Sequence, residues 1–345
     1  MQRYIFFGLQ LVLVLGLYAL PQRRQAPPRI RIPFGLDELP QDLIRDFRPE
    51  VATLGRQLFS DPILSVDHKT SCASCHQPEH GFASTERLPM GSLGRHALRN
   101  APTLLNRAYG KAFSWDGKAS ELETQVLLPI ENPNEMALPL EQALARLAAD
   151  AEYAKRFQKL FGREPRKDDL ALALASYVRS LLTGDSVIDR FHAGQEVELA
   201  PAEKAGMWIF ESKGGCWQCH SGSNFSDEGF HNSGVGVVDG RPEPGRAAVT
   251  GKRRDKGAFK TPTLRGLPAT APYMHDGSLA TLEAVVAFYR RGGNANPGID
   301  PRLKPLDLSD QEAGFLVAFL RALSRHPDPQ GLPKRGQQKP SRKRR

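Results

Sequence analysis

Cysteine is scarce in this chain: four residues in 345. A disulfide-dense secreted scaffold is thereby excluded. Long apolar runs are scarce too. One stretch, residues 4–20 (YIFFGLQLVLVLGLYAL), carries no charge, with Arg3 before it and Arg23 and Arg24 after it. It sits at the short limit of the ~17–25 residues that span a bilayer and exceeds the ~7–15 of a signal-peptide core. No small-x-small cleavage site is clear, so residues 1–22 read as an uncleaved export anchor, with a cleaved signal as the alternative. The arginines after the run oppose the positive-inside rule for an exported domain. Alternation of period two is thin everywhere, which argues against a sheet-based fold and for a mainly α class. Acidic side chains are missing from 333–345 (PKRGQQKPSRKRR), so 327–345 reads as a basic disordered tail and the net charge of +9 is unevenly spread. An acidic protein or an anionic lipid surface suits that tail; a nucleic-acid partner is not expected.

What the four cysteines do is decided by their neighbours. They form two copies of Cys-x-x-Cys-His: Cys72-Ala-Ser-Cys75-His76 and Cys216-Trp-Gln-Cys219-His220. This is the attachment signature of c-type haem. Each thiol pair adds across the vinyl groups of one haem, and the adjacent histidine is the proximal iron ligand. A four-cysteine zinc site is the competing possibility. Zinc pairs usually lie about 15–20 residues apart, whereas these are separated by 141 (216 minus 75), and zinc has no use for a histidine after both pairs. Two covalently bound haems c are therefore expected. Haem c is attached outside the bacterial cytoplasm, so the expected compartment is the periplasm.

The chain around the motifs repeats one layout: a helix, a motif, long loops, then helices. Residues 23–48 are rich in Pro and Arg and read as a linker. The first unit, 49–190, opens with a helix at 49–60 and continues through a loop-rich stretch at 77–140. Apolar spacing at Leu140, Leu144, Leu147, Ala151, Ala154, Phe157 and Phe161 predicts a helix over 140–161, and another is predicted over 167–182. The second unit, 191–326, starts a helix at Pro201, a favoured first helical residue. Thr281 is expected to cap a helix to about Tyr289. Ser309 and Glu312 form a capping box for the last helix. Two cytochrome c-like haem domains related by duplication are the expected architecture.

Two further segments are distinctive: Asn100-Ala-Pro-Thr-Leu-Leu-Asn106 … Phe113-Ser-Trp115-Asp-Gly117 … Gln125 … Asn132-Pro-Asn-Glu135-Met136, and Pro262-Thr-Leu-Arg265 … Thr270-Ala-Pro272-Tyr-Met-His275-Asp-Gly277. With them the chain resembles the bacterial diheme cytochrome c peroxidase family, in particular its MauG branch, over about residues 50–325. The resemblance implies roles by position. Glu135 matches the distal glutamate of the peroxide-binding haem and Gln125 the glutamine beside it. A carboxylate above the iron suits O–O heterolysis, which needs a group to move a proton between the two oxygens. Trp115 matches the tryptophan between the haems. Asn100, Thr270 and Pro272 match the ligands of an interdomain calcium, with oxygen donors that suit this ion.

The sixth ligand of the second haem separates the branches. Peroxidases of the family carry a methionine fourteen residues after the histidine matched here by His275; this chain has Tyr289 there (275 plus 14), as MauG-type proteins do. Tyrosinate favours ferric and higher states, whereas methionine raises the potential. Met274 is a rival ligand. At the first haem, His80 follows His76 too closely to reach the opposite face, and His96 is the candidate that would close the iron; an open five-coordinate site is the expectation. One departure matters. MauG itself has a tryptophan two residues before the second motif, where this chain has Gly214. Trp208 and Trp217 are possible substitutes, and the methylamine dehydrogenase precursor does not carry over as substrate. The expected activity is hydrogen peroxide-dependent oxidation of a small redox protein (a cytochrome c or a cupredoxin) or of protein side chains. The alternatives are a conventional cytochrome c peroxidase that needs half-reduction first, and a diheme electron carrier without peroxide chemistry.

Overall fold

Two crossed helix pairs organise the protein. The computed structural model describes residues 30–326; the expected anchor at 4–20 and the basic tail lie outside the described residues. In the first half, helix Pro49–Ser60 packs across helix Lys167–Arg179. In the second, Pro201–Glu211 packs across Asp310–Ala322. Each crossing is made on a glycine. A Cβ at Gly55 would run into the carbonyl oxygen of Ala173, and one at Gly206 into that of Phe315. The same solution at both crossings is a duplication visible in the packing.

Each pair carries its own core. Leu54, Leu58, Leu170, Leu174 and Phe157 gather in one cluster, and Ile209, Phe210, Leu316 and Phe319 in another. Phe157 and Phe319 are fully buried, which contributes about 1.5–3 kcal/mol each. The described strands are the two-residue antiparallel pair Phe230–His231 and Phe259–Lys260, so the mainly α class is right.

Local signals set most boundaries. Pro201 begins its helix, Thr281 accepts from Ala284 N at 3.0 Å, and Ser309 and Glu312 close a reciprocal capping box. The helix expected over 140–161 is corrected to two, Leu140–Ala149 and Ala151–Phe161. Asp150 breaks it: its carboxylate accepts from the Glu152 and Tyr153 N–H groups, capping a new helix. The described part of the 23–48 linker is docked on both halves. Leu39 is buried, Asp37 accepts from Ser223 Oγ at 2.7 Å, and the Asp37 carbonyl accepts from Tyr109 at 2.7 Å. Among the described residues, no helix is long and apolar enough to cross a membrane.

Candidate functional site: two histidine motifs and the residues between them

Both motif histidines are aimed by backbone carbonyls. His76 Nδ1 lies 3.1 Å from both Phe82 O and Pro102 O, and His220 Nδ1 lies 2.9 Å from Phe225 O. A carbonyl oxygen only accepts, so each Nδ1 must carry the hydrogen. Each Nε2 is then left as a lone pair, the state that ligates a metal. Burial pushes both imidazoles toward the neutral form. Ser71 and Ser74 cap the one-turn helix Cys72–Cys75 reciprocally, which presents the first thiol pair. Burial, before the charge of Cys75, pushes the Cys72 thiol up to about 12, and burial pushes Cys216 to about 12. Paired thiols beside a neutral imidazole in each half are the donor set that covalent haem requires.

A brace that sequence reasoning missed holds the second motif. Asp227 N donates to Cys219 O at 2.8 Å. His231 bridges Asp227 (2.8 Å) and Asp300 (3.0 Å). Arg302 bonds Asp300, which drops that carboxyl to about 2, and donates to Gln218 O at 3.3 Å. No local pattern signals this, because Asp300 is 69 residues from His231.

Glu135 lies beside the first motif, since its charge helps hold up the thiols of both Cys72 and Cys75. Asn132 Nδ2 donates to its Oε1 at 2.7 Å. Burial raises the Glu135 carboxyl above the ordinary range, with the Asn132 bond opposing. The loop over 89–97 grips its backbone: Ser92 N donates to Glu135 O at 2.6 Å. Gln125 Oε1 accepts from Ser114 Oγ, which ties it to the turn that carries Trp115.

Trp115 Nε1 donates to Asn100 O at 2.8 Å, and Asn100 N donates to His275 O at 2.9 Å. The Trp115 and His275 rings meet at 6.3 Å. His275 stacks on Phe259 at 3.5 Å and bonds Glu243 at 3.2 Å. Asn100 is buried. Its Nδ2 donates to Glu86 O and Arg87 O, which turns Oδ1 the other way. Thr270 and Pro272, with Asn100 the residues that the resemblance matches to a calcium site, lie just before the turn that carries His275.

Tyr289 lies on helix Leu282–Arg290. Burial pushes its hydroxyl up to about 12, and the thiols of Cys219 and Cys216 push the same way, so it lies near the second motif; Ser233 opposes by a hydrogen bond. Met274 occupies a left-handed turn (φ 75°). His80 lies in the turn Pro78–His80. His96 is exposed, with Nδ1 bonded to Leu88 O at 3.0 Å. Gly214 N donates to Ile209 O at 2.8 Å, closing the end of the preceding helix. Trp208 and Trp217 are 71% and 50% exposed.

The family model for di-haem cytochrome c peroxidase matches residues 49–197. The methylamine utilization protein MauG of Methylorubrum extorquens is 38% identical over 301 residues, covering 86% of this chain and 84% of that protein. The cytochrome c551 peroxidase of Nitrosomonas europaea is 38% identical over 278 residues, covering 80% of each. A solved MauG-like protein associated with microbial copper homeostasis matches with a TM-score of 0.74 at 30% identity, over 89% of this chain and 95% of that one. The fold is shared by the diheme peroxidase BthA from Burkholderia thailandensis (TM-score 0.69, 23% identity, covering 87% and 95%). The family carries two c-type haems, and the two motifs here have the donors for both. The chain belongs to the di-haem cytochrome c peroxidase family, as a MauG-like diheme peroxidase.

Proposed function

We propose that the protein reduces hydrogen peroxide at the His76 site and shares the oxidising equivalents with a His220/Tyr289 site. Residues 49–190 then form the peroxide domain and 191–326 the electron-transfer domain. When bound, the haems supply the redox chemistry, in which hydrogen peroxide, two electrons and two protons become two waters. The protein contributes the proton movement. Glu135 as carboxylate accepts the proton of the inner peroxide oxygen and returns it to the outer one, and Asn132 holds its Oε1 in place. Gln125, fixed by Ser114, orients the oxygen that departs as water. The observation that carries this proposal is a half-buried carboxyl beside the first motif, hydrogen-bonded by Asn132 and with its pKa raised by desolvation. A simple electron carrier has no use for one.

The exposed His96, turned to Leu88 O, supports an open first iron. Tyr289 near Cys216 and Cys219 supports tyrosinate ligation at the second. Trp115, locked between Asn100 and His275, is suited to relay electrons or holes. Asn100, Thr270 and Pro272 are proposed to hold calcium across the two halves. Electrons come from a small redox protein, a cytochrome c or cupredoxin, or from side chains of a protein substrate; exposed Trp208 and Trp217 offer exits. The periplasm is the proposed compartment.

The test is stopped-flow absorbance of the fully ferric protein mixed with one equivalent of hydrogen peroxide. Rapid formation of a high-valent species is expected. Reaction only after half-reduction would mean a conventional peroxidase, and no reaction in either state would leave an electron carrier.

A further inference from the structure

A charged cluster is buried between the two halves, beside the second motif but not part of it. Arg107, Glu228 and Lys260 are 8%, 7% and 8% exposed. Arg107 donates to Glu228 Oε1 at 2.8 Å and to Oε2 at 3.0 Å. Lys260 Nζ donates to the same Oε1 at 3.3 Å and to Thr261 O at 2.9 Å, and Lys111 N reaches Oε2 at 3.3 Å. Two cations therefore face one carboxylate. A surplus positive charge inside a protein is costly, and apolar residues of similar volume would generally pack as well. Its retention calls for a use.

The location suggests one. Lys260 N donates to Trp115 O at 2.8 Å. Phe259, the preceding residue, stacks on His275, whose ring meets Trp115. Glu228 follows Asp227, which bonds Cys219 O. The cluster thus touches both ends of the path from Trp115 to the second motif. Burial, followed by the charge of Arg107, pulls the Lys260 amine down to about 8, while its bonds to Glu228 Oε1 and Thr261 O hold it as an ammonium donor. The Lys260 charge also reaches His220, where it disfavours the imidazolium.

We propose that the Arg107–Glu228–Lys260 cluster is an electrostatic positioning device that raises the reduction potential of the second haem. Reduction adds one electron to that site, and a fixed buried cation, poorly screened by salt, favours it. Oxidising equivalents are thereby biased back toward the first site and Trp115. This rests on the presence of two haems but not on the peroxide chemistry.

The test is a spectroelectrochemical titration of the full-length holoprotein. Lys260→Met removes the surplus charge and lowers the midpoint of the second haem. Lys260→Arg keeps the charge and keeps the midpoint. The double variant Lys260→Met with Glu228→Gln restores one net cation, because arginine stays protonated, and returns the midpoint toward wild type. A purely structural role would leave the double variant at least as perturbed as the single one. An unchanged midpoint in Lys260→Met, or a double variant that does not recover, overturns the proposal. Should Lys260→Met fail to take up both haems, Lys260→Gln makes the same charge change with a side chain that still bonds Glu228. A protein inert to peroxide that shows these shifts would sink the peroxide function and leave this inference standing.

Discussion

Trp115 and His275 occupy the same place in two copies of one turn, and their rings meet at 6.3 Å with planes at 64°. The first turn is closed by the bridge Phe113–Ala119 and the second by Tyr273–Leu279. Each bends through a left-handed residue just before the aromatic (Ser114, φ 65°; Met274, φ 75°) and through a left-handed glycine two residues after it (Gly117, φ 70°; Gly277, φ 62°). Asn100 then locks the pair, accepting from Trp115 Nε1 and donating to His275 O. A duplicated turn has become an asymmetric contact between the halves.

If that contact carries electrons, Trp115→Phe should uncouple the two sites. Peroxide would still react at the first haem, while the second haem's absorbance would no longer follow on the same timescale. Rapid-scan spectra that show the second haem responding at the wild-type rate would remove Trp115 from the path.

Glu135→Gln keeps the shape but cannot take a proton, and proton transfer by a positioned group is worth about 10²–10⁴-fold in rate. A slowdown of that order is expected in the stopped-flow reaction. The pH profile adds a sign. Burial raises the Glu135 carboxyl, and the carboxylate is the working form. The rate should therefore fall on acidification with a midpoint above the ordinary glutamate range, and the limb should vanish in the variant.

Tyr289→Phe deletes the hydroxyl near the second motif. The absorbance and electron paramagnetic resonance signals of the second haem should change and those of the first should not. Identical spectra would exclude Tyr289 as a ligand.

If Asn100, Thr270 and Pro272 hold calcium, its removal should act across the halves. A strong chelator is expected to lower the melting temperature and slow inter-haem transfer, with both restored by added calcium. Asn100→Ala should mimic the chelator and abolish the response to calcium; a wild-type response in that variant would place the ion elsewhere.

Gly206→Ala tests the crossing. The added Cβ meets the Phe315 carbonyl oxygen, a backbone atom that cannot swing aside. Overpacking of this kind costs about 1–3 kcal/mol, read as a lower midpoint in urea denaturation with an unchanged slope.

Much of the fold could be read along the chain. Pro201, Thr281 and the Ser309–Glu312 box start helices where expected, because a cap acts within one turn. Asp150 was legible in principle as a cap, but the apolar spacing runs through it and hides the break. The docking of residues 33–39 onto both halves had no local signal: Asp37 and Ser223 are 186 positions apart.

The sequence by itself determined the two haem motifs, the helices between them and the list of chemically special residues, because covalent attachment and capping depend on neighbours a few positions away. Tertiary structure alone decided that each motif imidazole is held as a neutral Nδ1–H tautomer by carbonyls, that Trp115 faces His275, and that Arg107 meets Glu228 across 121 residues beside Lys260. Hydrogen bonds, ring contacts and burial depend on distance in space, and chain folding sets that distance with no trace in local pattern.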